Sequence, residues 1–196
     1  MHDTLFTIGH SNHPLERFID LLQRNRIAAV ADVRSTPYSR HNPQYNREPL
    51  QESLRNAGIL YLYFGAELGA RCPDPACFEN NRVLFSRVAR TGPFIHGLEQ
   101  VRLAMAKRRL ALMCAEKDPL QCHRTILICR SLRTEPFNVS HILADGSLET
   151  QADLETRLLT LTKVSENDLF LDREQLIERA YDLLGERMTA AIRSKT

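Results

Sequence analysis

The densest chemistry in the chain is one consecutive triplet, Cys122-His123-Arg124. A thiol, an imidazole and a guanidinium follow the polar turn Glu116-Lys117-Asp118-Pro119. That turn follows an apolar run, Leu110 to Cys114, with the length and bounding residues of a buried strand. The regular apolar pattern beyond Cys122 predicts a helix from about Leu120 to Arg130. Strand, tight loop and helix start is where open α/β sheets place their ligands. At a helix opening, a thiolate faces unpaired backbone N–H groups, and His123 and Arg124 add positive charge. Cys122 is therefore a candidate nucleophile or redox thiol. The blander reading is a buried small side chain whose neighbours bind local carbonyls.

Other candidates sit at predicted strand ends. Asp32, Glu67 and Glu116 are acid–base candidates, and His10 titrates near neutrality. Asp32 equally suits a salt bridge to Arg34, and Glu116 a helix cap. Ser11 is a lone hydroxyl able to donate to an anion. Arg34, Arg40, His41 and Arg47 with Tyr38 and Tyr45 form a basic and aromatic patch suited to phosphates or stacked bases. Arg34 and Arg124 are the expected anion clamps. The expected catalytic set is Cys122, His10, Asp32 and Glu116. The expected binding set is Ser11, Arg34, Tyr38, Arg40, His123 and Arg124. A phosphatase loop does not fit, because Arg124 follows Cys122 by only two positions. No glycine-rich nucleotide fingerprint is present, since Gly9-His10-Ser11 lacks the later glycines. Cys72 and Cys77 have the spacing of half a zinc clamp. The other half would require the fold to bring up Cys122, His123 or His10. No metal and no cofactor is assigned. Cys129 and Cys114 sit in apolar runs and read as core, Cys114 less firmly because it ends a strand.

These residues need a scaffold, and the apolar pattern supplies one. Thr4–Ile8 reads as a strand. A helix follows, capped by Asn12 or His13, with Leu15, Phe18, Ile19 and Leu22 as its buried stripe. Ile27–Val33 is a central parallel strand, and this βαβ unit puts the loops after both strands on one rim. Residues 35–50 form a loop. A helix from Glu48-Pro49 ends at Gly58, and Ile59–Phe64 is the third strand. A helix is expected from about Asn80 with Val83, Leu84 and Val88 on one face, then another from Phe94 to Arg109. Val139–Leu143 reads as a fifth strand, and Gln151–Leu161 and Arg173–Leu184 as helices. The expectation is an α/β fold: a three-layer α/β/α Rossmann-like domain with a mostly parallel sheet and a C-terminal helical extension. The expected division is a core at 1–146 and an acidic extension at 147–196, packed on the core.

Charge is unevenly spread. Residues 1–130 carry 18 Lys or Arg against 12 Asp or Glu, whereas residues 131–196 carry 8 against 12. The basic part favours an anionic partner, a phosphorylated small molecule or nucleic acid. No apolar run approaches a membrane span and no cationic leader opens the chain, so no membrane partner is expected. Five cysteines without framework spacing suit a reducing cytoplasm. Homo-oligomerisation is left open.

Several pieces recur together in a known family. Thr7-Ile8-Gly9-His10-Ser11, Asp32-Val33-Arg34 with Pro37 and Ser39, and Glu67-Leu68-Gly69 come first. Met113-Cys114-Ala115-Glu116, Cys122-His123-Arg124 and His141-Ile142 with Asp145-Gly146 follow. In this order and spacing, the chain resembles the family named domain of unknown function 488, over about residues 4 to 146. The resemblance implies a compact α/β domain with these polar pieces gathered in one cleft, and supplies no substrate. The expected function is an enzyme acting on a phosphorylated or nucleotide-like substrate through a Cys/His/Arg cleft. The alternatives are a non-catalytic nucleic-acid or anion-binding module and a protein-interaction adaptor.

Overall fold

The computed structural model describes residues 3–165 and 171–191. Residues 1–2 of the expected core, and 166–170 and 192–196 of the expected extension, lie outside the described residues. The short apolar runs pair as strands. In chain order these are β1 (Thr4–Gly9), β2 (Ala29–Asp32), β3 (Leu60–Tyr63), the two-residue β4 (Phe78–Glu79) and β5 (Arg82–Val83), β6 (Leu110–Cys114), β7 (Asn138–Ile142) and β8 (Leu148–Thr150). The main sheet runs β3-β2-β6-β1-β7-β8. All of its pairings are parallel except the edge pair β7–β8.

Strand alternation sends side chains to two opposite cores. Leu5, Ala29, Ala31, Leu110 and Leu112 pack on one face with α5 (Gly92–Lys107), the segment Arg124–Cys129, α6 (Gln151–Thr162) and α7 (Arg173–Ala191). Phe6, Ile8, Val30, Tyr61, Ala111, Met113 and Ile142 pack on the other with α1 (Leu15–Arg24) and α2 (Arg47–Asn56). The result is a mixed sheet between helical layers, with α6 and α7 extending beyond it. Each fully buried aliphatic or aromatic side chain contributes about 1.5–3 kcal/mol here.

Local chemistry departs from the sequence expectation in three places. The helix expected near Asn80 is instead a hairpin. Asn80 and Asn81 take φ of 48° and 60°, the doubly left-handed pattern of a tight turn between β4 and β5. Between β3 and α5 the helical pieces are the single turns α3 (Gly65–Leu68) and α4 (Phe85–Val88) and a 3-10 turn at Pro75–Cys77. Helix α1 is not capped by Asn12 or His13. Its cap position is Pro14, without a side-chain cap, and the turn closes through the His13 N–H on the His10 carbonyl at 3.2 Å. The stretch after β6 is not one regular helix. A 3-10 turn, Pro119–Gln121, is capped by Asp118, and Cys122 is extended at φ −133°, ψ 138°. A π-helical segment, Arg124–Cys129, follows. Such wide turns are frequent at functional sites.

The acidic extension docks by charge as well as by its apolar face. Arg133 reaches Glu155 at 2.7 Å, Glu174 at 2.6 Å and Glu178 at 2.8 Å. Arg130 reaches Glu178 at 2.6 Å and Asp182 at 2.8 Å. Part of the charge asymmetry seen along the chain is therefore spent inside the molecule. Among the described residues no helix is long and apolar enough to cross a membrane.

Candidate active site at the C-terminal rim of the sheet

Parallel register aligns three strand ends. Gly9 pairs with Cys114, and Asp32 with Met113. The residues that follow β1, β2 and β6 thus meet on one rim. His10 N–H and Ser11 N–H extend the ladder by donating to the Cys114 and Ala115 carbonyls, each at 2.9 Å. Gly9 is required there, because a Cβ would occupy the position of the Glu116 carbonyl oxygen. That carbonyl is held in turn by Arg124 Nη1 at 2.7 Å.

Two polar clusters share the rim. The first is built on Asp32, which is fully buried. Its Oδ1 accepts from the Arg34 N–H at 3.0 Å and Nε at 2.9 Å. Its Oδ2 accepts from Arg34 Nη2 at 2.6 Å and from the Tyr61 hydroxyl at 2.8 Å. Arg34 Nη2 also donates to the Tyr45 carbonyl at 2.8 Å. Arg34 Nη1 lies 3.3 Å from His10 Nε2. Because Arg34 can only donate, Nε2 is the accepting nitrogen and Nδ1–H donates to the Ser11 carbonyl at 2.7 Å. His10 stacks on Tyr45 with ring centroids 4.1 Å apart. Burial, opposed by the Ser11 carbonyl and reinforced by the Arg34 charge, lowers its pKa to about 4. His10 is therefore neutral at pH 7.

The second cluster is Cys114, Glu116, Cys122 and His123. Cys114 and Cys122 are 3% and 1% exposed. Glu116 is the one member of the four that is not buried. Cys122 Sγ and Glu116 Oε2 lie 2.9 Å apart, a contact that one shared proton bridges. The Arg124 N–H points at Cys122 Sγ from 3.4 Å. His123 Nδ1 lies 3.7 Å from Cys114 Sγ and 4.0 Å from Cys122 Sγ. Its Nε2 lies 3.1 Å from the Val33 carbonyl and must be the protonated nitrogen. Burial acts to raise the Cys122 thiol. The hydrogen bond from Cys114 and the Arg124 and His123 charges outweigh it and hold Cys122 well below the ordinary thiol range. Cys114 moves the opposite way, pushed up by its hydrogen bond to Cys122 and by burial. Glu116 is raised by partial burial and then by the neighbouring Cys122 charge. The thiol and carboxyl shifts therefore run towards each other across the contact in which Cys122 Sγ donates to Glu116 Oε2.

Arg124 joins this cluster to the rest of the protein. It is fully buried, and its Nε donates to Thr7 Oγ1 at 3.4 Å. Thr7 Oγ1 lies 2.8 Å from His141 Nδ1, and His141 Nε2 lies 3.0 Å from Gln151 Oε1. Gln151 Nε2 then donates to Glu155 Oε1 at 2.9 Å and to the Tyr181 hydroxyl at 2.6 Å. The directions close consistently with a neutral His141 protonated on Nε2, and burial with the Arg124 charge lowers its pKa to about 4.

The rim thus gathers His10, Ser11, Asp32, Arg34, Glu116, Cys122, His123 and Arg124. Arg34 donates to Asp32 and the Tyr45 carbonyl, and Arg124 commits Nε and Nη1 to internal acceptors. Ser11 is half-buried with φ of 50°, and its hydroxyl donates to Asn12 Oδ1 at 3.3 Å. Tyr38 and Arg40 are exposed on the loop after β2 and do not join either cluster; Tyr38 donates to Glu48 at 2.8 Å. Glu116 meets Cys122 and caps no helix; Asp118 performs the capping. Cys129 is buried core, its thiol pushed up to about 12 by burial. Cys77 is buried beside the half-buried Cys72, and burial first, then that neighbouring thiol, pushes it up to about 12. Two contributors were not singled out from sequence. His13 Nε2 is buried without a hydrogen-bond partner, and burial, then the Arg17 and Lys117 charges, hold the ring below the usual imidazole value. Lys117 is exposed beside it and lines a groove of about 630 Å³ with Asp118, Gln121, Asp145 and Arg157.

The model of the family described as Domain of unknown function DUF488 matches residues 14–130, and the chain belongs to that family. Neither a curated protein nor a solved structure matches the chain.

Proposed function

From that membership, which carries a scaffold and no assigned reaction, we propose that the chain is an enzyme. Its centre is the Cys114–Glu116–Cys122–His123 cluster, and its substrate is a phosphorylated or nucleotide-like compound. The observation that carries this reading is the Cys122–Glu116 contact of 2.9 Å. It pairs a thiolate former with a group able to take and return its proton, which is the geometry an activated thiol needs. Burial alone does not ask for that pairing, since a structural cysteine sits comfortably among apolar neighbours. Cys129 is such a cysteine in the same chain.

The anionic character of the substrate rests on the groups around the cluster. Lys117 and Arg17 place positive charge at the outer lip, each within electrostatic range of His13. Arg34 and Arg124 contribute field and position, because Arg34 is held by Asp32 and the Tyr45 carbonyl and Arg124 commits Nε and Nη1 to Thr7 and the Glu116 carbonyl. Glu116 is the proton carrier on the accessible side. The test is a panel of phosphate esters, nucleotides and short nucleic acids, assayed with the parent chain and with Cys122→Ser and Glu116→Gln. The reading expects turnover of at least one class, lost in Cys122→Ser with the folding midpoint kept. Binding that is strongly salt-dependent and indifferent to Cys122→Ser would instead favour a non-catalytic nucleic-acid module.

A further inference from the structure

The four groups of the cluster converge more closely than a thiol–carboxylate pair requires. Both sulfurs, a Glu116 carboxylate oxygen and a His123 ring nitrogen all lie within 4.8 Å of one another. They arrive from three stretches: the end of β6, the turn after it, and the residue pair ahead of the π-helical segment. We infer that Cys114, Cys122 and His123 hold one zinc-class divalent cation, with the Glu116 carboxylate beside its fourth position. The inference rests on the proposal that this cluster is the functional centre, and it names what occupies that centre.

Distances decide how many ligands there are. Zinc–sulfur bonds of about 2.3 Å and zinc–nitrogen bonds of about 2.0–2.1 Å, set tetrahedrally, put donors roughly 3.5–3.8 Å apart. His123 Nδ1 stands 3.7 Å and 4.0 Å from the two sulfurs, within a few tenths of that edge. The Cys122–Glu116 separation of 2.9 Å is too short for two vertices of the same tetrahedron and is a proton-sharing distance. Three protein ligands with a carboxylate beside the open position is the arrangement of a catalytic rather than a structural zinc site.

The surroundings are those of a ligand set. His123 Nε2 is anchored on the Val33 carbonyl at 3.1 Å, which turns Nδ1 towards the two sulfurs. The Arg124 N–H stabilises the Cys122 sulfur from 3.4 Å. Thiolate and imidazole donors select zinc over magnesium or calcium. Among the described residues, Cys72 and Cys77 have no third donor converging on them.

The test uses the full chain, purified without added metal and analysed for zinc, then stripped with a chelator and titrated with Co²⁺ by absorbance. The expected result is about one zinc per chain, and with Co²⁺ a thiolate charge-transfer band and intense tetrahedral d–d bands. Cys114→Ser, Cys122→Ser and His123→Asn should each weaken Co²⁺ binding by at least about tenfold. Glu116→Gln and Cys72→Ser should bind like the parent. Circular dichroism of each stripped variant separates lost metal from lost fold. A folded parent chain without the charge-transfer band overturns the inference, as does a band that survives the Cys114→Ser/Cys122→Ser double variant. If the band is missing while Cys122 in the same sample alkylates rapidly, the cation is excluded and the thiol-centred function stands. Bound zinc together with unchanged turnover in Cys122→Ser supports the cation and removes the proposed function.

Discussion

The two polar clusters of the rim are built from the same kinds of residue and do opposite things. Around Asp32 every acceptor has its donor: four hydrogen bonds converge on one carboxylate, and Arg34 is held by Asp32, the Tyr45 carbonyl and His10. Around Cys122 the groups face one another with a single proton between thiol and carboxylate and a second thiol alongside. A satisfied buried network fixes structure, whereas ionisable groups gathered without full pairing are costly unless they are used. The first cluster positions the rim and the second is where chemistry can occur.

That contrast predicts opposite responses to equally small substitutions. Asp32→Asn leaves the Arg34 charge buried without its counter-ion and should cost about 3–5 kcal/mol in urea unfolding. Cys122→Ser, compared in metal-stripped protein, should cost about 1 kcal/mol or less. Equal losses from the two would erase the distinction between a structural and a functional cluster.

A pH titration tests the network that links the rim to the extension. His141 has a folded-state pKa of about 4 against 6.5 when free. A histidine depressed on folding stabilises the protein above the free value and loses that contribution as pH falls from 6.5 towards 4. The full effect is at most about 3 kcal/mol. The urea midpoint should fall over that window, and His141→Gln should flatten much of the fall, with His10 responsible for a similar share. An unchanged acid limb in His141→Gln would show that the chain Arg124–Thr7–His141–Gln151 does not carry the charge penalty. At the outer end of the chain, Glu155→Ala removes the partner of Arg133 and Tyr181. It should lower stability by about 2 kcal/mol in the same assay.

The smallest effect is expected on the exposed loop. Arg40→Ala should leave stability within about 0.5 kcal/mol of the parent. If residues 34–50 carry part of an anionic ligand's affinity, the substitution should also reduce the salt slope of binding by about one. No change in slope would confine recognition to the Lys117 lip.

The legible part of the fold was its apolar runs. Ala29–Asp32 and Leu110–Cys114 read as buried strands because hardly a polar residue interrupts them, and they pair side by side. The Asn80–Asn81 hairpin was not legible, because Val83, Leu84 and Val88 mimic a helical face across a turn that only backbone dihedrals distinguish. The π-helical widening after His123 also leaves no signature in the apolar period. In the site, Cys122, His123 and Glu116 stood out as types at a strand-to-helix junction. Cys114 did not, since the last residue of an apolar strand looks like core wherever that strand ends. Arg34 and Arg124 show the reverse difficulty: sequence displays a guanidinium but not the carbonyls that already occupy it.

Strand β8 has three residues and is the sheet's only antiparallel member among the described strands. It lies beyond the boundary expected at residue 146, yet it covers the outer hydrogen-bonding side of β7. A chain shortened at 146 would lose more than a decorating pair of helices. It would present β7, five residues of ordered strand, as a bare template for another chain, and its first failure would be intermolecular strand addition rather than unfolding.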